Sequence, residues 1–219
     1  MSVEFTAAND NEITEVLASG YSVPLTIALR AKIDSSQTDG ISRAITIRNS
    51  GFSNVVSIYE SGGNWSVQSR TSSQNGIDST GVPIATTSFN SIVVTLEDAT
   101  TYSIYIDGSI ITNSATWGTP DFTGVNDLDR VTIGGRVGAD QDWDGFISDV
   151  AVWTRALTDD EALAFTSGFS PLQFPDNLSV FWQGTNDIYA DSMQTATFTD
   201  NIATPTLAFD DNPKIIFPE

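Results

Sequence analysis

Three aspartates at alternate positions, Asp140, Asp142 and Asp144, are followed by Gly145 and have the chemistry of a cation site. Carboxylates at this spacing repel each other along an extended chain but converge when the chain wraps around an ion, and the glycine permits the sharp turn. The pattern matches the first half of an Asp-x-Asp-x-Asp-Gly calcium loop. The second half is missing, because Ala151 stands where a bidentate glutamate would close the site.

The sequence therefore leaves two interpretations of this loop open. In one it holds calcium through the three aspartates. In the other it is a solvated acidic loop whose charges are relieved by water and by Arg130 or Arg136. A second acidic loop, with Asn126, Asp127 and Asp129, precedes it and offers the same kind of oxygen ligands.

The absence of histidine and cysteine from the 219 residues excludes many catalytic chemistries. A Ser-His-Asp triad, a thiol nucleophile and a His or Cys zinc site are all ruled out. A glycosidase would need two carboxylates about 5 to 9.5 Å apart across a cleft, and the adjacent acids Glu97 and Asp98 are more simply a solvated corner at a strand end. The sequence predicts a protein that is not an enzyme, with a carbohydrate-active hydrolase as an alternative.

The net charge limits the partners of the chain. It has 28 acidic and 9 basic residues, for a formal charge of -19. Nucleic acids and anionic lipids are recognised through Lys and Arg clusters, so neither a nucleic acid nor a membrane is expected as a partner. No stretch approaches the ~20 apolar residues that span a bilayer, and residues 1–5 lack a signal-peptide pattern, which predicts synthesis in a host cytoplasm.

Alternation of apolar and polar residues dominates the first two thirds of the chain. Residues 25–33 alternate strictly, which predicts a strand buried on one face. Asp107-Gly108 between two β-rich runs predicts a type I′ hairpin. We expect at least ten strands, and the clearest runs are 25–33, 41–48, 55–60, 65–70, 91–97, 102–107, 110–112, 130–133 and 145–153.

One segment, near 158–168, is predicted to be helical. Thr158 and Glu161 have the spacing of a capping box, and Gly168 and Pro171 supply the stop. We expect this short helix to pack on the rim of the sheets. Residues 1–219 then form a single all-β domain with 172–219 as a C-terminal closing segment.

The tryptophans are expected to close the sandwich. Trp143 and Trp153 bracket the strand at 145–153 and are predicted to seal its two ends with large apolar side chains. Trp65 and Trp182 are predicted to lie in the core. Trp117, in a turn-rich stretch, matches no such role.

Two segments, 129–135 and 143–161, closely resemble the signature of laminin-G-like, concanavalin A-like jelly-roll domains. In that family an Ile-Gly strand leads to an aromatic-x-Gly-x-Ile strand and then to an Arg-Ala-Leu-Thr-x-x-Glu helix start. The segments 23–27 and 102–108 resemble its upstream strand and hairpin, and 168–213 resembles the version common in tailed phages and prophages. The resemblance implies a jelly-roll β-sandwich of two antiparallel sheets.

The resemblance also implies how a sugar would bind. In this fold class an exposed aromatic ring usually stacks on a pyranose face while Asp, Asn or a calcium ion orders the hydroxyls. Trp117, Asn126 and Asp127 are therefore the candidate ligand-binding residues. The alternative for Trp117 is a loop anchor tucked against the sandwich edge.

The sequence as a whole predicts a non-enzymatic surface protein of a phage virion that holds a glycan or cell-surface polysaccharide at its rim loops. The alternative is a capsid or tail decoration protein without a carbohydrate ligand. In that role its partners are other virion proteins and other copies of the same chain in a homo-oligomer. A strong net charge suits both roles, because it keeps many copies from associating before assembly.

Overall fold

A computed structural model of the chain describes residues 2–5, 12–34, 40–71, 75–111, 114–117, 121–135, 141–184, 198–200 and 207–208. These residues form two antiparallel β-sheets, one α-helix and a short 3-10 turn at Pro171–Gln173. The predicted all-β sandwich with one short helix is confirmed. No helix in this part of the chain is long and apolar enough to cross a bilayer.

The first sheet, sheet A, has the strand order β10-β9-β8-β3-β13-β1-β16, with β14 also paired to β13. Its strands are β1 (Ser2–Phe5), β3 (Leu25–Ile33), β8 (Asn90–Leu96), β9 (Tyr102–Ile106), β10 (Ser109–Ile111), β13 (Gly145–Trp153), β14 (Leu178–Trp182) and β16 (Leu207–Ala208).

The second sheet, sheet B, has the order β11-β7-β6-β5-β4-β12-β2-β15. Its strands are β2 (Ile13–Tyr21), β4 (Ile41–Arg48), β5 (Val55–Ser61), β6 (Asn64–Arg70), β7 (Asn75–Pro83), β11 (Ser114–Trp117), β12 (Leu128–Ile133) and β15 (Phe198–Asp200).

The local predictions match these elements closely. The strands at 25–33, 41–48 and 145–153 begin and end where the alternation does. The Asp107-Gly108 hairpin has positive φ at both residues, 49° and 78°, as a type I′ turn requires. Each of these features depends on neighbouring residues alone, which is why the sequence predicts them.

The core between the sheets is apolar and contains two stacked tryptophans. Trp65 of β6 and Trp143, just before β13, are fully buried, with ring centroids 5.5 Å apart and planes 16° from parallel. Trp182 packs edge-on against Phe5 at 6.3 Å. The predicted core positions of Trp65 and Trp182 are confirmed, and Trp143, which was predicted to close one end of the sandwich, lies in the same core.

The helix α1 (Asp159–Thr166) lies on the outer face of sheet A and not on the rim as predicted. It packs against a second apolar cluster that includes Ala28, Val93, Tyr105 and Ala151 from four neighbouring strands. For this reason β3 is buried on both faces, and the prediction of burial on one face was wrong. Alternation of apolar and polar residues along one strand does not indicate whether another element covers the face that carries the polar residues.

Trp153 also belongs to this second cluster. Its indole Nε1 donates to the carbonyl of Phe174 at 2.7 Å, and the ring is fully buried beneath the helix. The expectation that Trp143 and Trp153 close the two ends of one sandwich was therefore wrong for Trp153. The two residues point to opposite faces of sheet A.

The extent of the single domain stays a prediction. In the described part of the closing segment 172–219, β14 pairs with β13, β15 with β2, and β16 with β1. Residues 185–197, 201–206 and 209–219 lie outside the described residues.

Candidate functional site

The strand β12 places the two acidic loops at opposite ends of the sandwich. Asn126 and Asp127 precede its first residue, and the 140–144 loop follows its last. Six residues of strand span about 20 Å. The two sets of candidate ligands therefore cannot form one site.

At the 140–144 end, two buried carboxylates meet beside Gly135. A Cβ added to Gly135 would lie 2.5 Å from Asp142 Oδ1 and 3.4 Å from Glu12 Oε2. Glu12 and Asp142 are only 8% and 7% exposed, and burial of two adjacent carboxylates is costly unless a cation or hydrogen bonds compensate it. Glu12 was not predicted from the sequence, because it is distant along the chain from Asp142 and belongs to no motif.

The other residues that the sequence assigned to this loop are not seen to join the pair of Glu12 and Asp142. Asp144 is half-buried, and its main-chain carbonyl accepts from the Asp34 amide at 2.9 Å. Asp140 and Arg136 lie outside the described residues. Arg130, which the sequence offered for charge relief, has its Nε 3.8 Å from Asp129 Oδ1 at the far end of β12.

The donor set fits calcium in part. Carboxylate oxygens of Glu12 and Asp142 are the ligands this ion prefers, but it takes about six to eight oxygens. Among the described residues no third carboxylate joins the pair. Main-chain carbonyls, water and Asp140 are the groups that would supply the rest.

At the opposite end lie two loops, 49–54 and 121–128, that we call the amide rim. The first is closed by its own hydrogen bonds, from the Asn49 amide to the Asn54 carbonyl at 3.0 Å and from the Asn54 amide to Asn49 Oδ1 at 3.1 Å. Asn54 Nδ2 then donates to the Asn126 carbonyl at 3.1 Å, which ties the two loops together. Asn126 and Asp127 remain exposed. The rim thus presents polar groups on a backbone that is already fixed.

Phe52 is the aromatic residue of this rim. It is half-buried and has a φ of 55°, a conformation that a bulky side chain rarely adopts and that costs of order 1 to 3 kcal/mol. The Arg48 guanidinium lies 3.7 Å from its ring centroid, and Arg70 Nη2 donates to its carbonyl at 2.6 Å. Arg48 of β4 and Arg70 of β6, on either side of β5, therefore hold Phe52 in place, one through its ring and the other through its backbone.

Trp117 lies apart from the amide rim. It ends β11, the strand at the edge of sheet B, and its backbone pairs with Ile77. Five strand spacings separate β11 from β12, which is about 24 Å. The structure therefore places Asn126 and Asp127 together and Trp117 elsewhere, and nothing is described of the Trp117 side chain.

Asp98, one of the two adjacent acids considered for hydrolysis, uses its carboxylate to accept hydrogen bonds within its own turn. Asp98 Oδ1 accepts from the amides of Thr100 and Thr101 at 2.7 and 2.8 Å. These backbone hydrogen bonds hold the pKa of Asp98 below its usual range, so the group is ionised at neutral pH and poorly suited to act as a general acid.

Burial raises the pKa of Glu60, whose Oε1 accepts from the Gly63 amide at 2.6 Å in the β5–β6 turn.

Comparison with known proteins gives one family and many similar folds. A family model described as the concanavalin A-like lectin/glucanases superfamily matches residues 6–162. A comparison with curated protein sequences found no match.

Three solved structures illustrate the similarity of fold. A heptameric SAP-like pentraxin from Limulus polyphemus aligns with a TM-score of 0.62, 17% identity and 91% of each chain. The CBM40 of the Ruminococcus gnavus IT-sialidase, bound to alpha2,3 sialyllactose, aligns with a TM-score of 0.54, 15% identity, and 76% of this chain and 96% of that one. Domains LG4-5 of the mouse laminin alpha1 chain give a TM-score of 0.54, 10% identity, and 73% and 43% of the two chains.

Proposed function

Because this chain belongs to the concanavalin A-like lectin/glucanases superfamily, we propose that it binds a glycan, and that the amide rim is the binding site. The observation that carries the proposal is the half-buried Phe52 ring, held over Arg48 beside the linked Asn54 and Asn126. An aromatic face for a sugar ring and amides for its hydroxyls are the groups that such a ligand needs.

The fixed geometry of the rim favours binding. A loop closed by its own hydrogen bonds loses little conformational entropy when a ligand arrives. The strain at Phe52 is of the kind that clusters at ligand clamps. The CBM40 and laminin neighbours share the fold, and a saccharide is present in the CBM40 structure.

We place this binding on the surface of a phage virion, where it serves adhesion to a host or its surroundings. The support is the resemblance of 168–213 to phage and prophage domains and the charge of -19, which keeps copies apart. Binding is not followed by chemistry in this proposal, because glycoside hydrolysis needs two facing carboxylates and Asp98, the acid considered for that role, is bound within its own turn.

The second candidate function is that of a decoration protein. It is favoured by exposed apolar side chains near the carboxyl end of α1: Phe169 and Leu172 follow the helix and are 47% and 57% exposed. Ile110, on the strand β10 that contacts α1, is 54% exposed. Such residues could join neighbouring subunits.

We predict that Phe52→Ala weakens glycan binding by about ten-fold or more, because a lost aromatic contact of about 1.5 kcal/mol corresponds to that factor. The measurement is a glycan array, followed by calorimetric titration of the saccharides that bind. Phe89→Ala is the matched control, since Phe89 is also a half-buried ring beside a cation, Lys32, but lies at the other end of the sandwich.

The outcomes separate the candidates. Loss of binding with Phe52→Ala and not with Phe89→Ala supports the amide rim, and loss with Trp117→Ala instead would move the site to the β11 edge. A stable oligomer in sedimentation that binds no glycan at millimolar concentration would favour the decoration role. Release of reducing sugar would contradict a purely binding function.

We also propose that calcium binds at Glu12 and Asp142. An ion at a hundred times its dissociation constant stabilises the folded chain by about 2.7 kcal/mol, which raises the melting midpoint by roughly 5 to 10 °C. Melting with calcium and with a chelator measures this. Asp142→Asn should abolish the shift and Asp160→Asn, on the exposed helix, should not. An unchanged melting midpoint at millimolar calcium would contradict calcium binding at Glu12 and Asp142.

A further inference from the structure

Three arginines share one transverse row of sheet B. Arg130 of β12 pairs with Arg48 of β4, Arg48 pairs with Val55 of β5, and Val55 pairs with Arg70 of β6. Residues paired across antiparallel strands lie on the same face of the sheet. A chain with only 9 basic residues against 28 acidic ones thus places three of them in one row, with Arg130 opposite Arg48 and with Val55 between Arg48 and Arg70.

This arrangement carries a cost that the fold alone does not require. Like charges directly opposite each other on paired strands are destabilising. The helix-side arginines show the usual alternative, since Arg30 meets Asp149 at 2.8 Å and Arg155 meets Glu161 at 2.7 Å. In the row, Arg70 Nη2 donates to the neutral Phe52 carbonyl at 2.6 Å.

The acidic groups around the row decide where an anion could bind. Asp129 lies 3.8 Å from Arg130, and Asp127 is exposed beside it, so this end is already partly neutralised. Asp121 follows the loop near Arg70, but its amide donates to Ser69 Oγ and its carboxylate accepts from the Thr123 amide at 2.7 Å. Among the described residues Arg70 forms no salt bridge, whereas Arg130 lies close to Asp129, so the Arg70 end of the row is the less neutralised one.

We propose that the glycan bound at the amide rim is acidic, and that Arg70 binds its carboxylate or sulfate ester while Phe52 carries the sugar ring. This inference rests on the proposed function. Arg70 already contacts the Phe52 backbone, so an anionic substituent of a sugar on that ring is within reach of the guanidinium. A planar guanidinium matches carboxylate and sulfate geometry with two parallel hydrogen bonds.

The test uses paired probes with the same sugar chain, one member acidic and the other neutral. Oligogalacturonate is compared with its methyl ester, and sulfated oligosaccharides with their desulfated forms, by calorimetric titration at low and high salt. We expect the acidic member of at least one pair to bind roughly ten- to a hundred-fold more tightly, as for hydrogen bonds to a charged group. Added salt should reduce that preference.

Variants test whether Arg70, in the arginine row of sheet B, is the cause of the preference for the acidic probe. Arg70→Gln should lower the affinity for the acidic probe much more than that for the neutral probe, because it also loses the contact with the Phe52 carbonyl. Arg70→Lys should restore part of the difference. Lys32→Gln removes the same charge at the other end of the sandwich and should change nothing. Melting of each variant shows whether it is folded.

The inference and the proposed function can fail separately. Equal binding of charged and neutral probes, still dependent on Phe52, would overturn the acidic ligand and keep the glycan site. A preference that survives Arg70→Gln in the folded variant would also overturn it. Binding of inorganic sulfate with no saccharide bound would overturn both.

Discussion

Replacing Arg30 with methionine is expected to destabilise the protein by about 3 to 5 kcal/mol, as in other proteins where one partner of a buried ion pair is removed. Arg30 lies on β3 beneath the helix and is 3% exposed. Its Nη1 donates to Asp149 Oδ2 at 2.8 Å, and its Nη2 donates to the carbonyls of Phe165 and Phe169 at 3.1 and 2.9 Å. Methionine fills a similar volume but satisfies none of these acceptors.

The contacts explain why Arg30 is needed at this position. The carbonyls at the end of α1 carry the negative end of the helix dipole, which a cation stabilises. The guanidinium also lies 4.6 Å from the Phe165 ring centroid. Asp149 reaches it because β13 bulges there, with Asp149 at a φ of 50°. Without Arg30 the Asp149 carboxylate stays buried but loses its ion-pair partner, which is costly.

Urea unfolding of a double-mutant cycle measures this effect. Asp149→Asn keeps the shape of the side chain and tolerates positive φ. In the variant with both substitutions the unpaired charge is gone, so its cost should be clearly smaller than the sum of the two single costs. Additive costs, or a loss below about 1 kcal/mol for Arg30→Met, would contradict a stabilising role for the buried Arg30–Asp149 pair.

The strands that the sequence predicted are those whose residue types alternate between apolar and polar. The strands absent from the predicted runs are β1, β2, β7, β11, β14, β15 and β16. Of these, β2 has an exposed Val16 and β7 carries glycines. The position of the helix was also missed. Its apolar side chains contact strands far apart in sequence, and no local pattern indicates whether a strand's second face is open to water or covered.

The candidate site shows the same division. Asn126 and Asp127 were identified from their residue types, but Asn54 meets Asn126 across 72 residues and Arg48 and Arg70 meet Phe52 from two strands. The one local signal was an aromatic residue in the centre of a polar loop at 49–54 that contains glycine. Such a loop needs a reason to keep a Phe at its tip, and a ligand is one.

A second large effect is expected at the start of α1, where Glu161→Gln should lower the free energy of unfolding by about 2 to 3 kcal/mol at neutral pH. Arg155 binds both Glu161 oxygens at 2.7 Å, and the Thr158 amide donates to the same carboxylate at 2.9 Å. The hydrogen bond from Arg155 is the main reason that the pKa of Glu161 falls from 4.5 to about 2. At 1.36 kcal/mol for each pKa unit the full shift is worth about 3 kcal/mol, and the 25% exposed side chain reduces it.

The sign of the pH dependence follows from this pKa. Since the folded pKa lies below the unfolded one, the contribution is complete above about pH 5 and disappears as the pH falls towards about 2. The pKa of Glu60 is raised by burial, so that group acts in the opposite direction, but it is common to the wild type and the variant. The difference between their unfolding free energies isolates Glu161.

Urea unfolding of the two proteins between about pH 7 and pH 2 gives this difference. It should shrink from its full value to near zero across the acid range. Asp160→Asn removes an equal charge from the same helical turn, where Asp160 is exposed, and should cost less than about 1 kcal/mol. A difference that stays constant with pH would mean that the cost of Glu161→Gln does not come from the ionised carboxylate, which would contradict a stabilising ion pair with Arg155.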